Sequence, residues 1–401
     1  MDLIRPVNFY VNGWENLDWL KEVLEEKFAP NLVEEFTVKE LGCGHKEGVK
    51  PKEGFMASIR RLLIRWNGSE KPVESVIVKI PNIEAAAKAW KSFSTLNSED
   101  MIKHGALVIT MMHNTESLVY DKLGHASSKL CLPKIVMNRN FGSNDPKDFP
   151  VLVMEDLSRF KIVDVLDGLN EKKLYAIVNF LVELHFFSYH FADLNSLGMT
   201  KEVIQELTEL DNRLLVDICE NLTQADPECF AKLPLVKKLM TETDWFGYYM
   251  DKFRSGEYPA VLAHGDIWTT NVLFDGDSIG GIIDWQMVHP ASPTEDLQHV
   301  LSLCCPVEMR KRLTEPLLQY YHKLLSEKFE ANKEPVPFSY ETLLDLYDQT
   351  LIYTLGMSLF ATSMWSGSDV ILTGKDGQRR VKECYERSAA VIEETICHLG
   401  L

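Results

Sequence analysis

The chain lacks the features that mark secreted, membrane-bound and nucleic-acid-binding proteins. Its 401 residues carry eight cysteines, at 43, 131, 219, 229, 304, 305, 384 and 397, and no two form a Cys-x-x-Cys pair. No Cys/His cluster has zinc spacing, and thiols scattered in this way suit a reducing compartment. No uninterrupted apolar run reaches the ~18 residues of a membrane helix, so no membrane span is expected. The first residues show no basic stretch followed by an apolar one, which speaks against a secretory leader; a cytoplasmic protein is expected. Positive charge is scarce as well. Lys and Arg number 42 against 59 Asp and Glu, a formal net charge of −17, the opposite of the basic footprint of a nucleic-acid binder. A nucleic-acid partner is therefore not expected, although a local basic pocket for phosphates is not forbidden. Internal repeats and low-complexity tracts are absent.

What is present is an ordinary globular composition, 45% hydrophobic and 25% charged, on a chain longer than the roughly 250–300 residues at which single cores stop growing. Two lobes are expected, 1–157 and 158–401. The first is strand-rich. An amphipathic helix spans 14–29, with Leu17, Leu20, Val23, Leu24 and Phe28 at helical spacing. Strands are expected from Phe36 to Leu41, from Phe55 to Trp66 and from Val73 to Ile80, with Asn67-Gly68 as a turn. A helix over about 100–123 follows, then strands from Leu132 to Asn138 and from Pro150 to Met154. From about 171 the pattern is helical, except for hairpins over 260–285 and a break near Gly367 to Gly377. A nucleotide fits the cleft between two such lobes.

The chemistry concentrates in His264-Gly265-Asp266-Ile267-Trp268-Thr269-Thr270-Asn271 and in Ile282-Ile283-Asp284-Trp285. One carboxylate is followed five residues later by an amide, and a second carboxylate comes thirteen after that. Phosphoryl transfer from a nucleotide uses this set. One Asp orients the accepting hydroxyl and takes its proton, while an Asn and a second Asp hold the divalent metal on the phosphates. Asp266 and Asn271 keep the five-residue spacing of the kinase H-R-D-x-x-x-x-N pattern, with Gly265 in the place of the Arg. A hairpin from Val272 to Ile283 should bring Asn271 and Asp284 side by side as ligands of Mg2+, which favours oxygen donors. Taken singly, each of these residues reads as an ordinary polar group near a strand end; the ordered set does not.

Lys79, near the end of an apolar strand, resembles the lysine of the kinase V-A-I-K strand and needs an anionic partner. ATP phosphates and Glu116 can supply it, with Glu99 and Glu84 as alternatives to Glu116. Gly42, Gly44 and Gly48, followed by Gly54, form a loop whose N–H groups can approach phosphate, although such a loop also makes ordinary hairpins. Met154, Glu155 and Leu157 sit where the lobes would join and where an adenine could meet backbone; Asp156 reads equally as a cap. Other features read as structural. His185 is a core histidine, and His264 braces the 264–271 loop. Glu295-Asp296-Leu297 opens a helix with acids favoured by its dipole. Tyr347, Tyr353, Phe360 and Trp365 read as core rather than as an acceptor pocket.

The H-G-D-x-W-x-x-N and I-D-W-Q motifs resemble the choline kinase-like (CHK) domain family, and especially its ecdysteroid kinase-like and nematode small-molecule kinase-like branch. The likeness runs over most of the chain, through Lys79, Glu116 with Tyr120 four residues on, the Met154 to Leu157 connector, the 264–271 loop and Asp284. It implies the fold shared with aminoglycoside phosphotransferases and choline kinases: an α+β, bilobal, protein kinase-like architecture with a small antiparallel-sheet N-lobe and a large, mainly helical C-lobe. It implies ATP and Mg2+ as cofactors, Asp266 as base, and Asn271 and Asp284 as metal ligands. Trp268 and Trp285 fit the branch better than true choline kinases. The expected activity is phosphorylation of a hydroxyl on a small-molecule alcohol: sterol-like, xenobiotic or a glycoside. A choline or ethanolamine kinase, or an inactive pseudokinase, stays open as an alternative. A protein kinase is disfavoured, because no D-F-G and A-P-E pair follows and Asp284 is separated from Pro293 by too few residues for an activation segment. The oligomeric state is not legible.

Overall fold

The computed structural model describes residues 14, 16–40, 56–83, 98–124, 128–142, 149–242, 245–366 and 376–400. The chain divides into two compact units. The first takes in Met1–Ser92, Leu96–Ser128 and Leu132–Arg159, and the second Phe93–Thr95, Lys129–Cys131 and Phe160–Leu401.

The first unit is a five-stranded antiparallel sheet of order β1-β2-β3-β5-β4, built from β1 (Leu32–Glu40), β2 (Ala57–Asn67), β3 (Ser75–Pro81), β4 (Ile135–Arg139) and β5 (Val151–Glu155). Alternation decides the buried face of β2: Leu62, Ile64 and Trp66 are buried and Arg65 is exposed. β3 and β5 lie inside the sheet, and Val76, Val78, Ile80, Val151 and Val153 join the same core. Leu20 and Leu24, one turn apart on α1 (Asp18–Lys27), are fully buried against it. Helix α2 (Ser98–Leu123) belongs to the same unit.

Two strands depart from the sequence expectation for physical reasons. β1 begins at Leu32 rather than Phe36, because an edge strand needs little burial: Glu34 and Glu35 are exposed and only Val33 is buried. β4 begins at Ile135 rather than Leu132, since Pro133 has no N–H to give to a ladder.

The second unit is mainly helical. Its helices are α3 (Glu171–Tyr189), α4 (Lys201–Ala225), α5 (Leu233–Glu242), α6 (Trp245–Arg254), α7 (Glu295–Cys304), α8 (Val307–Ala331), α9 (Tyr340–Ser366) and α10 (Gly377–Leu399). Between α6 and α7 the chain forms two small antiparallel ladders. Strand β6 (Val261–Ala263) pairs with β9 (His289–Ala291), and β7 (Val272–Asp275) pairs with β8 (Ser278–Ile282). No helix among the described residues is long and apolar enough to cross a membrane. The fold is therefore α+β, with a small antiparallel sheet and a larger helical part.

Gly356 tests how tightly the second unit is packed. A glycine inside a helix usually costs about 0.5–1 kcal/mol relative to Ala. Here a Cβ would fall 2.3 Å from Trp245 Cη2 and 2.4 Å from its Cζ3, and Trp245 is buried. Gly356→Ala is expected to destabilise by roughly 1–3 kcal/mol, the range for overpacking, despite its better helix propensity. Urea unfolding measures this; a variant as stable as the parent would mean that Trp245 moves aside freely.

Candidate functional site

In the first unit, β3 carries Lys79 among buried apolar neighbours, and α2 carries Glu116 to meet it. Lys79 Nζ donates to Glu116 Oε2 at 2.7 Å, with the two side chains 9% and 1% exposed. Tyr120, one helical turn after Glu116, donates to Oε1 at 3.4 Å. A buried charge is tolerated only with such a partner, and removing one member of a buried pair typically costs about 3–5 kcal/mol. His113, one turn before Glu116, is pushed down to about 4 by burial; its ring bonds the Arg139 carbonyl. Of the alternatives to Glu116, Glu84 lies outside the described residues, as do Gly42, Gly44 and Gly48 of the proposed phosphate loop.

Met154 and Glu155 end β5, in register with Ile77 and Val76 of β3. Leu157, buried, follows the strand. Asp156 is committed to structure. It pairs with Arg61 Nε at 2.8 Å and accepts from Ser75 Oγ at 2.6 Å and from the Ser158 N–H at 2.9 Å.

In the second unit, β6 ends at Ala263 and the chain turns through His264 and Gly265 into Asp266. Gly265 has φ +78°, and a Cβ there would stand 2.3 Å from the Met287 carbonyl oxygen. Both facts exclude a side chain, which explains glycine where the kinase pattern has arginine. The loop then closes on itself. The N–H groups of Asn271 and Val272 donate to the Trp268 carbonyl at 3.0 and 3.2 Å. Asn271 Nδ2 donates to the Asp266 carbonyl at 2.8 Å and to Asp266 Oδ2 at 3.1 Å.

The β7–β8 hairpin, in register Val272↔Ile282, carries the second carboxylate to the same place. The Ile283 N–H donates to the Asn271 carbonyl at 3.0 Å, and Asp284 is the next residue. Asp284 adopts a left-handed conformation, φ 68° and ψ 56°, which Asp tolerates better than most residues. Trp285 then turns inward, fully buried, with Nε1 donating to the Ile282 carbonyl at 3.2 Å. Among the described residues no three His, Cys, Asp or Glu gather as a metal cluster. The donor set here is smaller and harder. Asn271 spends its amide nitrogen on Asp266, leaving its amide oxygen, with the Asp284 carboxylate adjacent to its backbone partner. Two such oxygens suit Mg2+, which keeps most of its shell for water and phosphate.

His264 ties the two segments together. Its Nε2 lies 3.1 Å from the Ile283 carbonyl and its Nδ1 3.3 Å from the Asp266 N–H, so Nε2 carries the proton and Nδ1 accepts. Burial pushes this imidazole down to about 4, against the pull of Asp284, which keeps the neutral form that the two bonds require.

Three residues that sequence reading did not assign to the site stand behind it, all on α7. Asp296 accepts the His264 N–H at 2.8 Å on Oδ2 and the Gly265 N–H at 2.9 Å on Oδ1. Burial and the neighbouring Glu295 push its carboxyl up to about 7, while those two N–H donors pull it down. Glu295 accepts from Tyr249 Oη at 2.6 Å and faces His289 Nε2 at 3.1 Å. Burial would lower His289, but the Glu295 carboxylate outweighs it and raises that imidazole. His299 places Nε2 3.8 Å from Asp266 Oδ1. Burial pushes it down to about 4, so it faces Asp266 as a neutral ring. The helix-dipole reading of Asp296 was incomplete, because α7 is buried on every side. Acids in the first turn of a helix with no solvated face must find donors within the protein, and that is the signal the sequence held.

Asp296→Ala should leave the His264 and Gly265 N–H groups buried without acceptors. Each such orphan costs about 1–3 kcal/mol. A lowered urea midpoint is expected, together with faster amide exchange at His264 and Gly265. Unchanged exchange there would show that the carboxylate does not hold the loop.

Comparison with known proteins places the chain. A relative from Caenorhabditis elegans named Uncharacterized oxidoreductase dhs-27 is 25% identical over 332 residues, covering 79% of this chain and 38% of the relative. The chain thus spans less than half the length of that protein. A second relative from the same organism, Uncharacterized kinase-like protein D1044.1, is 22% identical over 362 residues, covering 86% of this chain and 92% of the relative. Among solved structures, choline kinase LicA from Streptococcus pneumoniae aligns over 93% of this chain and 98% of its own, with TM-score 0.44 and 14% identity. The DUF1679 family model, described as Uncharacterized oxidoreductase dhs-27, matches residues 44–395, and the chain belongs to that family.

Proposed function

We propose that this protein is an ATP- and Mg2+-dependent phosphotransferase acting on a hydroxyl of a small-molecule alcohol, of the ecdysteroid kinase-like kind within the choline kinase-like proteins. One observation carries the reading. A single backbone frame holds the Asp266 carboxylate against the Asn271 amide and joins Asn271 to the residue before Asp284. A base and two hard oxygen donors thereby share one rigid loop and hairpin, the set that phosphoryl transfer requires.

In this reading Asp266 orients the acceptor hydroxyl and takes its proton as the oxygen bonds to the γ-phosphorus and ADP leaves. Asn271 fixes the Asp266 carboxylate through Oδ2, and the neutral His299 ring faces Oδ1 without cancelling its charge. Asn271 and Asp284 would hold Mg2+, which neutralises phosphate charge when bound. Lys79, aligned by Glu116, serves the nucleotide phosphates, and the connector from Met154 to Leu157 the base. Gly42, Gly44 and Gly48 are proposed to cover the phosphates. Acceptor alcohols of sterol-like, xenobiotic or glycoside type are favoured over choline and ethanolamine.

The family description names an oxidoreductase, and the relative bearing that name is much longer than this chain. Dinucleotide-binding oxidoreductases of the doubly wound type use a parallel sheet whose strands alternate with helices. Every strand pair among the described residues is antiparallel, which supports the kinase reading for this chain.

Two measurements test it. General-base catalysis contributes about 10²–10⁴-fold, so Asp266→Asn should lose about that much turnover, assayed by mass detection of a phosphate adduct on an alcohol panel. Near-parental turnover would remove Asp266 from the role. A ligand that binds only the folded state stabilises it by about 2.7 kcal/mol at a hundred times its Kd. ATP with Mg2+ should therefore raise Tm, and Asp284→Ala should abolish the magnesium-dependent part of that rise. A mutant that keeps the full rise would exclude Asp284 as a ligand.

A further inference from the structure

The ring of Trp268 lies two residues after Asp266 on the same loop. It stacks on Trp365 of α9, with centroids 4.8 Å apart and planes at 29°. The backbone of Trp268 is pinned, since its carbonyl accepts two N–H bonds that close the loop. Trp365 is buried, 5% exposed, whereas Trp268 is half-buried. One indole thus backs the other. Among the described residues Trp365 Nε1 is buried without a hydrogen-bond partner, although buried indole N–H groups usually find one.

We infer that the Trp268–Trp365 stack is the platform on which the acceptor substrate lies, and that it selects neutral alcohols bearing a flat apolar ring system. The inference rests on Asp266 being the base. A ring stacked on Trp268 carries its hydroxyl within reach of the loop that holds Asp266, and a rigid, preorganised contact of this kind orients a substrate. A quaternary ammonium is held differently, by an aromatic cage closing on it from several sides. Among the described residues Trp268 has one ring neighbour, Trp365. A stack of two rings matches a plane better than a sphere of charge. Trp268 would then determine specificity by touching the acceptor, and Trp365 would act through it as a positioning residue.

The test is calorimetric binding to the full chain, using 2-(2-naphthyl)ethanol, 1-decanol and choline as probes. Naphthylethanol is expected to bind more tightly than either of the others. An aromatic contact is worth about two- to twelvefold in affinity. Trp268→Ala should lose about that factor for naphthylethanol and nothing for decanol, and Trp268→Phe should restore most of it. Trp365→Phe should retain binding and Trp365→Ala should weaken it, with circular dichroism confirming that each variant folds. In turnover, Trp268→Ala should raise KM for a ring-bearing alcohol while KM for ATP stays unchanged. The platform is overturned if naphthylethanol binds no more tightly than decanol, if choline binds best, or if Trp268→Ala leaves the naphthylethanol Kd within about twofold. The binding readouts do not depend on catalysis, so they fail separately from the kinase reading, which falls if the parental protein forms no phosphate adduct on any alcohol of the panel.

Discussion

The buried Asp296 carboxylate, accepting two consecutive N–H groups from His264 and Gly265, is the contact on which the 264–271 loop depends. The loop reverses direction directly after a three-residue strand, and a strand that short cannot hold it. Backbone N–H groups in such a bend need acceptors, and no neighbouring strand supplies them. A carboxylate placed there from α7 satisfies both and forces α7 to begin where it does. Beside it in the chain, Glu295 accepts from Tyr249 and faces His289. Each of the two buried acids thus meets donors within the protein, the condition under which burying such groups is tolerated.

From that anchor the geometry propagates outward. With His264 fixed by its N–H, its ring reaches Ile283 on one side and the Asp266 N–H on the other. Gly265, free of a side chain, lets the Met287 carbonyl approach. Asn271 then closes the loop onto Asp266. The strain in the left-handed Asp284 backbone is held by the β7–β8 register before it and by the buried Trp285 after it. The chain concentrates positive φ, a buried acid and two buried neutral imidazoles within one small region. Local conflict of this kind, surrounded by well-packed helices, is what a site built for chemistry shows.

The sequence is readable where structure follows from near neighbours. The separation of Asp266 and Asn271 is one turn, and the amide reaches the carboxylate across it. The hairpin that carries Asp284 follows from a two-residue turn between apolar runs. The Lys79 strand follows from its Val and Ile neighbours, and Glu116 with Tyr120 from helical spacing. The outer strand β1 was only partly legible, because its exposed glutamates break the pattern by which strands are recognised. Strand β9 was not legible at all: His289-Pro290-Ala291 has no alternation, and it is a strand only because β6 lies beside it.

By itself, then, the sequence determined the order of elements, the mixed α and β character, and the residue types that phosphoryl transfer needs at the spacing it needs. These depend on local periodicity, on turn chemistry and on short separations. Tertiary structure alone decided which buried acid would hold the loop, that His299 would face Asp266, and that the buried Trp365 would stack on Trp268. Those contacts join residues far apart in the chain. Nothing in the local sequence records which side chain will fill a given space, because packing is settled only when the helices come together.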